Sequence, residues 1–149
     1  MRVLLIEPCE LDARVTLALL HRAGIKTTRI ANPKEAPSKL KETEYDCTLL
    51  SIEHDSGALE ENLQILQTVR SITSVILISD SDDLHFFLEV LQLPIDDYWI
   101  KGDFDETMIL RSVLLASEHQ RRLNELRQRV SLLEKLVERT TGICSKLVD

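Results

Sequence analysis

Five short segments of the chain have the apolar pattern of β-strands. Three are continuous apolar runs, which is typical of strands buried on both faces of a parallel sheet: Val3–Ile6, Cys47–Leu50 and Val75–Ile78. Two weaker candidates are Thr27–Ile30 and Tyr98–Ile100. Helical patterns follow each of them, so the order predicts a doubly wound α/β domain with a parallel sheet of five strands.

The segments between the strands carry apolar residues at helical spacing. Before Gly24, which we interpret as a C-terminal cap, the repeat consists of Leu11, Val15, Ala18 and Leu19. The next three helical patterns are Ala36–Leu40, Leu63–Val69 and Phe86–Leu91, the last of which is stopped by Pro94.

The C-terminal part of the chain predicts one long helix. Neither glycine nor proline occurs between Asp105 and Gly142, so we expect a helix from Asp105 to about Lys146. Such a helix is roughly 60 Å long, about twice the width of a small domain. It must leave the domain, which we place at residues 1–120, and residues 121–149 then form a coiled-coil or linker helix.

Apolar residues of this helix repeat at alternating intervals of three and four positions. They form a seam of heptad positions that consists of Leu123, Leu126, Val130, Leu133 and Val137 and continues to Cys144. Valine at the first position with leucine at the second favours two parallel strands. We therefore predict a parallel homodimer, while packing of a single amphipathic helix on its own domain is the alternative.

Composition and charge narrow the classes of function. The 149 residues include 18 Lys/Arg and 25 Asp/Glu, a net charge of -7. Residues 1–117 hold 11 of the basic and 20 of the acidic residues, so the domain repels phosphate groups, which disfavours nucleic acids and anionic membranes as partners. No secretory signal and no transmembrane stretch are visible, and we expect a cytoplasmic protein.

Three widely spaced cysteines support neither a disulfide framework nor a zinc site. The polar residues at the predicted strand ends are more informative. Glu7-Pro8 follows the first strand, Ser51 the third, Ser79 the fourth and Lys101 the fifth. The carboxyl ends of parallel strands meet at one edge of a sheet, so these side chains are expected to converge.

Four segments resemble the receiver domains of bacterial response regulators over about residues 1–120: RVLLIEP, YDCTLLSIEHDSG, SVILISDSDD and DDYWIKGDFDETMILRSV. The resemblance implies the flavodoxin-like (βα)5 fold. It also implies a place in two-component signal transduction, where an aspartate at the end of the third strand accepts a phosphoryl group. Two acidic residues after the first strand then help to hold Mg²⁺.

Only part of that chemistry carries over to this chain. The resemblance assigns Ser79 to the hydroxyl position, Lys101 to the lysine, Tyr98 to the switch aromatic and Glu7 to the first acid. Pro8 stands at the second acid, and Ser51 stands at the phosphoacceptor aspartate. We therefore expect a degenerate pocket without catalytic residues, metal or cofactor, in which Lys101 and Glu7 pair.

Three functional hypotheses follow, and the preferred one is a non-enzymatic pseudo-receiver that acts by protein contacts and dimerisation. The second is an active receiver that uses a displaced acid, Glu53 or Asp55. A Ser51–His54 nucleophile pair is disfavoured, since no third group is visible to orient the histidine.

The third hypothesis is a small flavodoxin-like enzyme, but no glycine-rich phosphate loop follows the first strand. We expect other signalling proteins, or an output domain beyond residue 149, as further partners. Trp99 either packs under the last helix or is exposed as an anchor for a partner.

Overall fold

A computed structural model describes residues 1–53 and 59–148 of the chain. Five strands form one sheet in which every pairing is parallel. They are β1 (Arg2–Ile6), β2 (Lys26–Ile30), β3 (Cys47–Ile52), β4 (Val75–Ser79) and β5 (Asp97–Ile100). Their order across the sheet is β2-β1-β3-β4-β5, which confirms the predicted doubly wound topology.

Helices follow each of the strands. Four are short: α1 (Glu10–Arg22), α2 (Ala36–Glu42), α3 (Leu59–Arg70) and α4 (Leu84–Val90). A 3-10 turn, Pro33–Glu35, leads into α2. The last helix, α5 (Glu106–Val148), has 43 residues, a length of about 65 Å at the usual rise per residue. The predicted long C-terminal helix is thereby confirmed.

The three inner strands, β1, β3 and β4, are buried on both faces, which explains their continuous apolar runs. Along β1, Leu4 and Ile6 contribute to one core cluster and Val3 and Leu5 to the other. The first cluster receives side chains from α2, α3 and α4, and the second receives them from α1 and α5. Because successive side chains point to opposite faces, a strand that is covered on both sides is mostly apolar along its whole length.

Two strands extend further than the apolar runs predicted. β3 includes Ser51 and Ile52, and β4 includes Ser79. Ser51 pairs with Ile78 and Ile52 pairs with Ser79, so both serines lie inside the sheet rather than after the strands. A buried serine interrupts the apolar run without interrupting the backbone pairing, and the sequence pattern therefore placed the strand ends too early.

The helix α1 lies where it was predicted, but it buries a different face. The side chains that pack inward are Ala13, Thr16 and Leu20, whereas Leu11 and Val15 are exposed. Gly24 follows the helix with φ of 76° and donates its backbone N–H to the carbonyl of His21. This left-handed turn confirms the predicted C-terminal signal.

The helix α5 changes its surroundings along its length. Ile109, Val113 and Ala116 are buried against the sheet, and Gln120 is the last of its buried residues among those that the structure describes. Beyond this point the helix continues with its side chains mostly exposed. Among the described residues, no helix is long and apolar enough to cross a membrane.

Candidate functional site

The predicted polar residues meet at the carboxyl edge of the sheet. Glu7 directly follows β1, and Lys101 directly follows β5. Ser51 is the next-to-last residue of β3, and Ser79 is the last residue of β4. The strand order reverses between β1 and β3, and in open α/β sheets ligands bind beside this point. The edge of the sheet is therefore the candidate site.

Lys101 is held between two carboxylates. Its Nζ lies 2.9 Å from Oε1 of Glu7 and 2.8 Å from Oδ2 of Asp12. The Glu7 side chain is 3% exposed and that of Lys101 is 17% exposed, whereas Asp12 is 43% exposed. The ammonium group therefore neutralises one buried carboxylate and is tied to the first turn of α1 by another.

The pKa values of this cluster shift in the directions expected of ion pairs. The hydrogen bond from Lys101, assisted by its charge, lowers the pKa of Asp12 below the ordinary 3.8. Burial acts to lower the pKa of Lys101, but hydrogen bonds and charges from Asp12 and Glu7 outweigh it and raise that pKa. Both shifts favour the charged forms, so the pairing stabilises the folded protein at neutral pH.

The backbone around the cluster is fixed by local contacts. The guanidinium of Arg29 donates to the carbonyl of Glu7, with Nη2 at 2.8 Å and Nε at 3.1 Å. After β5, Lys101 donates its backbone N–H to the Ser79 carbonyl, and Gly102 turns the chain with φ of 89°. This left-handed conformation is one that glycine adopts without steric cost.

Ser51 occupies the position that the resemblance gives to the phosphoacceptor. Its side chain is buried, and its Oγ has no hydrogen-bond partner among the residues that the structure describes. It lines a cleft of about 270 Å³ together with Pro8 and Glu53. A serine becomes a nucleophile when an adjacent base accepts its proton, and within residues 1–53 and 59–148 no base makes such a contact with Ser51. His54 and Asp55, which two alternatives invoked, lie outside the described residues.

Ser79 and Tyr98 face the loop that leads into α4. Oγ of Ser79 accepts the backbone N–H of Ser81 at 3.2 Å, and the Tyr98 hydroxyl donates to the Ser81 carbonyl at 2.7 Å. The Tyr98 ring packs against Phe86 and Phe87, and burial raises the pKa of its phenol. The tyrosine is thus half-buried and tied to the same loop as the hydroxyl residue.

The side chains present do not fit the Mg²⁺ site that the resemblance implies. Pro8 offers no carboxylate, Ser51 is neutral, and the Glu7 carboxylate is already paired with Lys101. Mg²⁺ gives up its water reluctantly and is usually bound by one or two carboxylates together with a phosphate. Within residues 1–53 and 59–148, no cluster of three or more His, Cys, Asp or Glu could hold a metal ion.

Sequence reasoning missed Asp12 as a member of this cluster. The residue lies in the first turn of α1, where a carboxylate is ordinarily explained by the helix dipole. Its partner Lys101 is 89 positions away in the sequence, and that pairing emerges only from the fold. The open question of Trp99 is also answered: it is fully buried, its indole donates to Ser112 on α5, and its ring packs against Phe104.

The predicted seam lies on the exposed part of α5. Leu126, Val130, Leu133 and Val137 each expose more than half of their surface, and Leu123 is partly buried. Large apolar side chains in such a row are unusual on a protein surface and mark an interaction site. The side chain of Cys144 lies outside the part of the chain that the structure describes.

Comparison with solved structures supports the fold. The N-terminal domain of a response regulator/sensory box/GGDEF protein from Carboxydothermus hydrogenoformans is 18% identical, with 85% of this chain and 98% of that chain covered and a TM-score of 0.65. The receiver domain of a sensor histidine kinase from Pseudomonas aeruginosa, with magnesium in its cleft, is 19% identical over 78% of this chain and 97% of that one, with a TM-score of 0.62.

A third similar structure contains amino acids 181–211 of the trimeric coiled coil of yeast Spc42, fused to another structure. It is 16% identical, covers 91% of this chain and 95% of its own, and has a TM-score of 0.65. Neither a scan of protein-family models nor a search of curated proteins found a match. The chain therefore has the flavodoxin-like fold of response-regulator receiver domains.

Proposed function

We propose that this chain is a pseudo-receiver, a module of two-component-type signalling that works through protein contacts and without aspartyl phosphorylation. The observation that carries the proposal is the pairing of Lys101 with Glu7 and Asp12 beside a serine at the phosphoacceptor position. The lysine that would bind a phosphoryl group is instead paired with two carboxylates. A non-enzymatic role, with residues 1–120 as the receiver-like domain, follows from this proposal.

Incubation with Mg²⁺ and acetyl phosphate, or with beryllium fluoride as a phosphoryl mimic, tests the proposal. We expect no change in intact mass, in thermal stability or in the fluorescence of Trp99. A ligand that binds only the folded state raises its stability, so a saturable rise in melting temperature with beryllium fluoride would contradict the proposal.

Substitutions at the pocket provide the matched positive control. Ser51→Asp alone restores the phosphoacceptor but leaves Pro8 in place of the second acid, and we expect little response from it. Ser51→Asp with Pro8→Asp supplies three carboxylates around the site together with Glu7. This double variant is the one expected to respond to beryllium fluoride and Mg²⁺, since Mg²⁺ needs oxygen ligands.

An active receiver with a displaced acid is the second candidate, because Glu53 lines the same cleft as Ser51. In that case acetyl phosphate adds one phosphoryl group to the wild-type chain. Glu53→Gln and Asp55→Asn, made separately, then identify the acceptor by loss of the added mass. The absence of any adduct on the wild-type chain excludes this candidate.

The second part of the proposed function is a parallel homodimer through α5. It is supported by the exposed apolar seam, because each seam side chain would exchange water for a partner side chain. Burial of the remaining half of each of the four exposed seam side chains contributes about 3–6 kcal/mol per chain, and about 6–12 kcal/mol for the two chains together, before the cost of association.

Sedimentation of seam variants tests the dimer. Leu126→Lys with Leu133→Lys introduces charge at two seam positions, and we expect a folded monomer. Leu132→Lys is the matched control, since Leu132 is 61% exposed, as Leu133 is, but lies outside the seam. If the double variant sediments as the same dimer as the wild type, α5 is not the interface.

A further inference from the structure

The direction of α5 is set by a small region of the domain. The helix has 43 residues, yet among the described residues its burial against the domain ends at Gln120. The contacts that fix the angle of its exposed half must therefore be made by helix residues from Glu106 to shortly after Gln120.

Apolar packing accounts for only part of this attachment. Ile109, Val113 and Ala116 lie in the core cluster with Trp99. Such contacts hold the helix against the sheet, but the hydrophobic effect is non-directional and permits small rotations. The contacts after Ala116, at the point where the helix leaves the sheet, are polar and directional.

Asp96, in the loop between α4 and β5, makes one of these polar contacts, with His119. Its Oδ2 accepts the backbone N–H of Val75 at 2.8 Å, and its own N–H donates to the Val75 carbonyl at 2.8 Å. Its Oδ1 is hydrogen-bonded to Nδ1 of His119 on α5, and Nη2 of Arg70 lies 3.9 Å from the same oxygen. The carboxylate is 10% exposed and is thus fixed to the first residue of β4 while it holds the helix.

Two further contacts come from the turn after α3. Nε2 of Gln120 donates to the Ile72 carbonyl at 3.0 Å, and Nη1 of Arg127 donates to the Ser71 carbonyl at 3.3 Å. Both donors end long side chains that can follow a moving helix. Asp96 is different, because its short side chain joins the helix to β4, a strand with a hydrogen-bonded neighbour on each side.

We propose that Asp96 is a positioning residue that sets, through His119, the direction in which α5 leaves the domain. The contact lies four residues before Leu123, where the predicted seam begins. A change at Asp96 would thus alter the placement of the domain relative to a coiled coil. Only this consequence rests on the proposed dimer; the contact itself lies within one chain.

Distance measurements between two spin labels on one chain test the proposal. Labels at Lys26→Cys in the domain and Lys135→Cys on α5 report the helix direction, in a background of Cys9→Ser and Cys144→Ser with the buried Cys47 retained. Dilution with unlabelled chain restricts the signal to one chain. Position 135 lies about 24 Å beyond His119, so a change of about 15° in direction moves it by about 6 Å.

We expect one narrow distance distribution for the labelled parent. Asp96→Asn, which removes the charge but keeps an oxygen for Val75, should shift or broaden it by about that 6 Å. His119→Leu should do the same, and His119→Lys, which again offers a hydrogen-bond donor to Asp96, should recover the parent distribution. Asp103→Asn makes the same change at an exposed aspartate and should have no effect.

Distributions that stay at the parent value in both Asp96→Asn and His119→Leu would overturn the proposal, even if melting temperatures fall. In that case the apolar stripe, Gln120 and Arg127 set the direction. Should Asp96→Asn fail to fold, His119→Leu decides alone, since His119 is 46% exposed and does not contact Val75. If the wild-type chain sediments as a monomer, the proposed dimer is wrong, but the distance between two labels on one chain still tests the role of Asp96.

Discussion

Replacing Lys101 with methionine removes the ammonium group and leaves the length and most of the volume of the side chain. The Glu7 carboxylate, which is 3% exposed, then loses the partner that lies 2.9 Å away. Asp12 loses the same partner but is 43% exposed and can be solvated. The expected destabilisation therefore comes mainly from the buried Glu7.

The magnitude follows from two limits. Breaking a buried ion pair by removing one partner costs about 3–5 kcal/mol. A carboxylate stranded in this way can instead take up a proton, which at pH 7 costs about 3–4 kcal/mol for a carboxyl of ordinary acidity. We expect Lys101→Met to lower the free energy of unfolding by about 3 kcal/mol, a large fraction of the stability of a domain of this size.

Urea denaturation followed by the fluorescence of Trp99 measures this change at fixed protein concentration. A loss of 3 kcal/mol moves the midpoint down by about 1.5 M for a slope of about 2 kcal/mol per molar. Lys41→Met is the control for loss of an exposed lysine and should stay within about 0.5 kcal/mol of wild type.

A second substitution separates the stranded charge from other effects of the methionine. Glu7→Leu combined with Lys101→Met replaces the pair by apolar side chains, an exchange that is often close to neutral. The double variant should therefore be more stable than Lys101→Met alone. If the double variant is as unstable as Lys101→Met, the loss does not come from the stranded Glu7 carboxylate. If Lys101→Met unfolds at the wild-type midpoint, the buried pair does not stabilise the domain.

Two further predictions concern acid stability and the orientation of the dimer. Lys101 lowers the pKa of Asp12, so this carboxylate contributes stability that is present at neutral pH and is lost as the pH falls below about 4. The difference in the free energy of unfolding between the wild type and Asp12→Asn, measured by urea titration, should therefore be smaller at pH 3 than at pH 6. In a parallel dimer the seam places each Cys144 opposite its twin, so mild oxidation should give a disulfide-linked dimer on a non-reducing gel that Cys144→Ser abolishes and Cys9→Ser retains. A monomer band after oxidation of a dimer that sedimentation has verified would favour antiparallel helices.

The fold was predictable from sequence because burial on both faces leaves an unmistakable pattern. Polar residues bound the apolar runs of β1, β3 and β4 at both ends. The long helix α5 contains neither glycine nor proline before Gly142. Errors arose where a residue of the wrong polarity sits in a regular element. For this reason the predicted third and fourth strands stop before Ser51 and Ser79, although both serines belong to the strands.

The face of α1 could not be predicted from apolar spacing alone. Leu11 and Val15 have the right spacing for a buried stripe, yet the helix buries Ala13, Thr16 and Leu20. Two of these residues, Ala13 and Thr16, are small, which suits close packing of a helix on a sheet, and they carry little apolar signal in the sequence. The side chains that a sequence pattern ranks highest are in this case the ones left on the surface.

The candidate site shows a similar division between position and contact. Sequence reasoning placed Glu7 and Lys101 at the same edge of the sheet, since both directly follow parallel strands. It could not place Asp12, which reaches Lys101 from the first turn of α1 across a gap of 89 residues. Topology thus determines which strand ends meet, whereas the partners of a long side chain depend on how the neighbouring helix is seated.

The ion pair between Lys101 and Glu7 and the contact between Asp96 and His119 lie at opposite ends of β5. Lys101 follows β5, and Asp96 directly precedes it, so the two charged contacts are separated by the length of one short strand. Trp99, between them, is buried beneath α5 and donates to Ser112. A strand anchored at both ends by charge and covered at its centre by the helix has little freedom to move alone. A partner that displaces Lys101 from Glu7 would act on the same strand that leads back to Asp96, and thereby on the contact of Asp96 with His119 on the exposed helix.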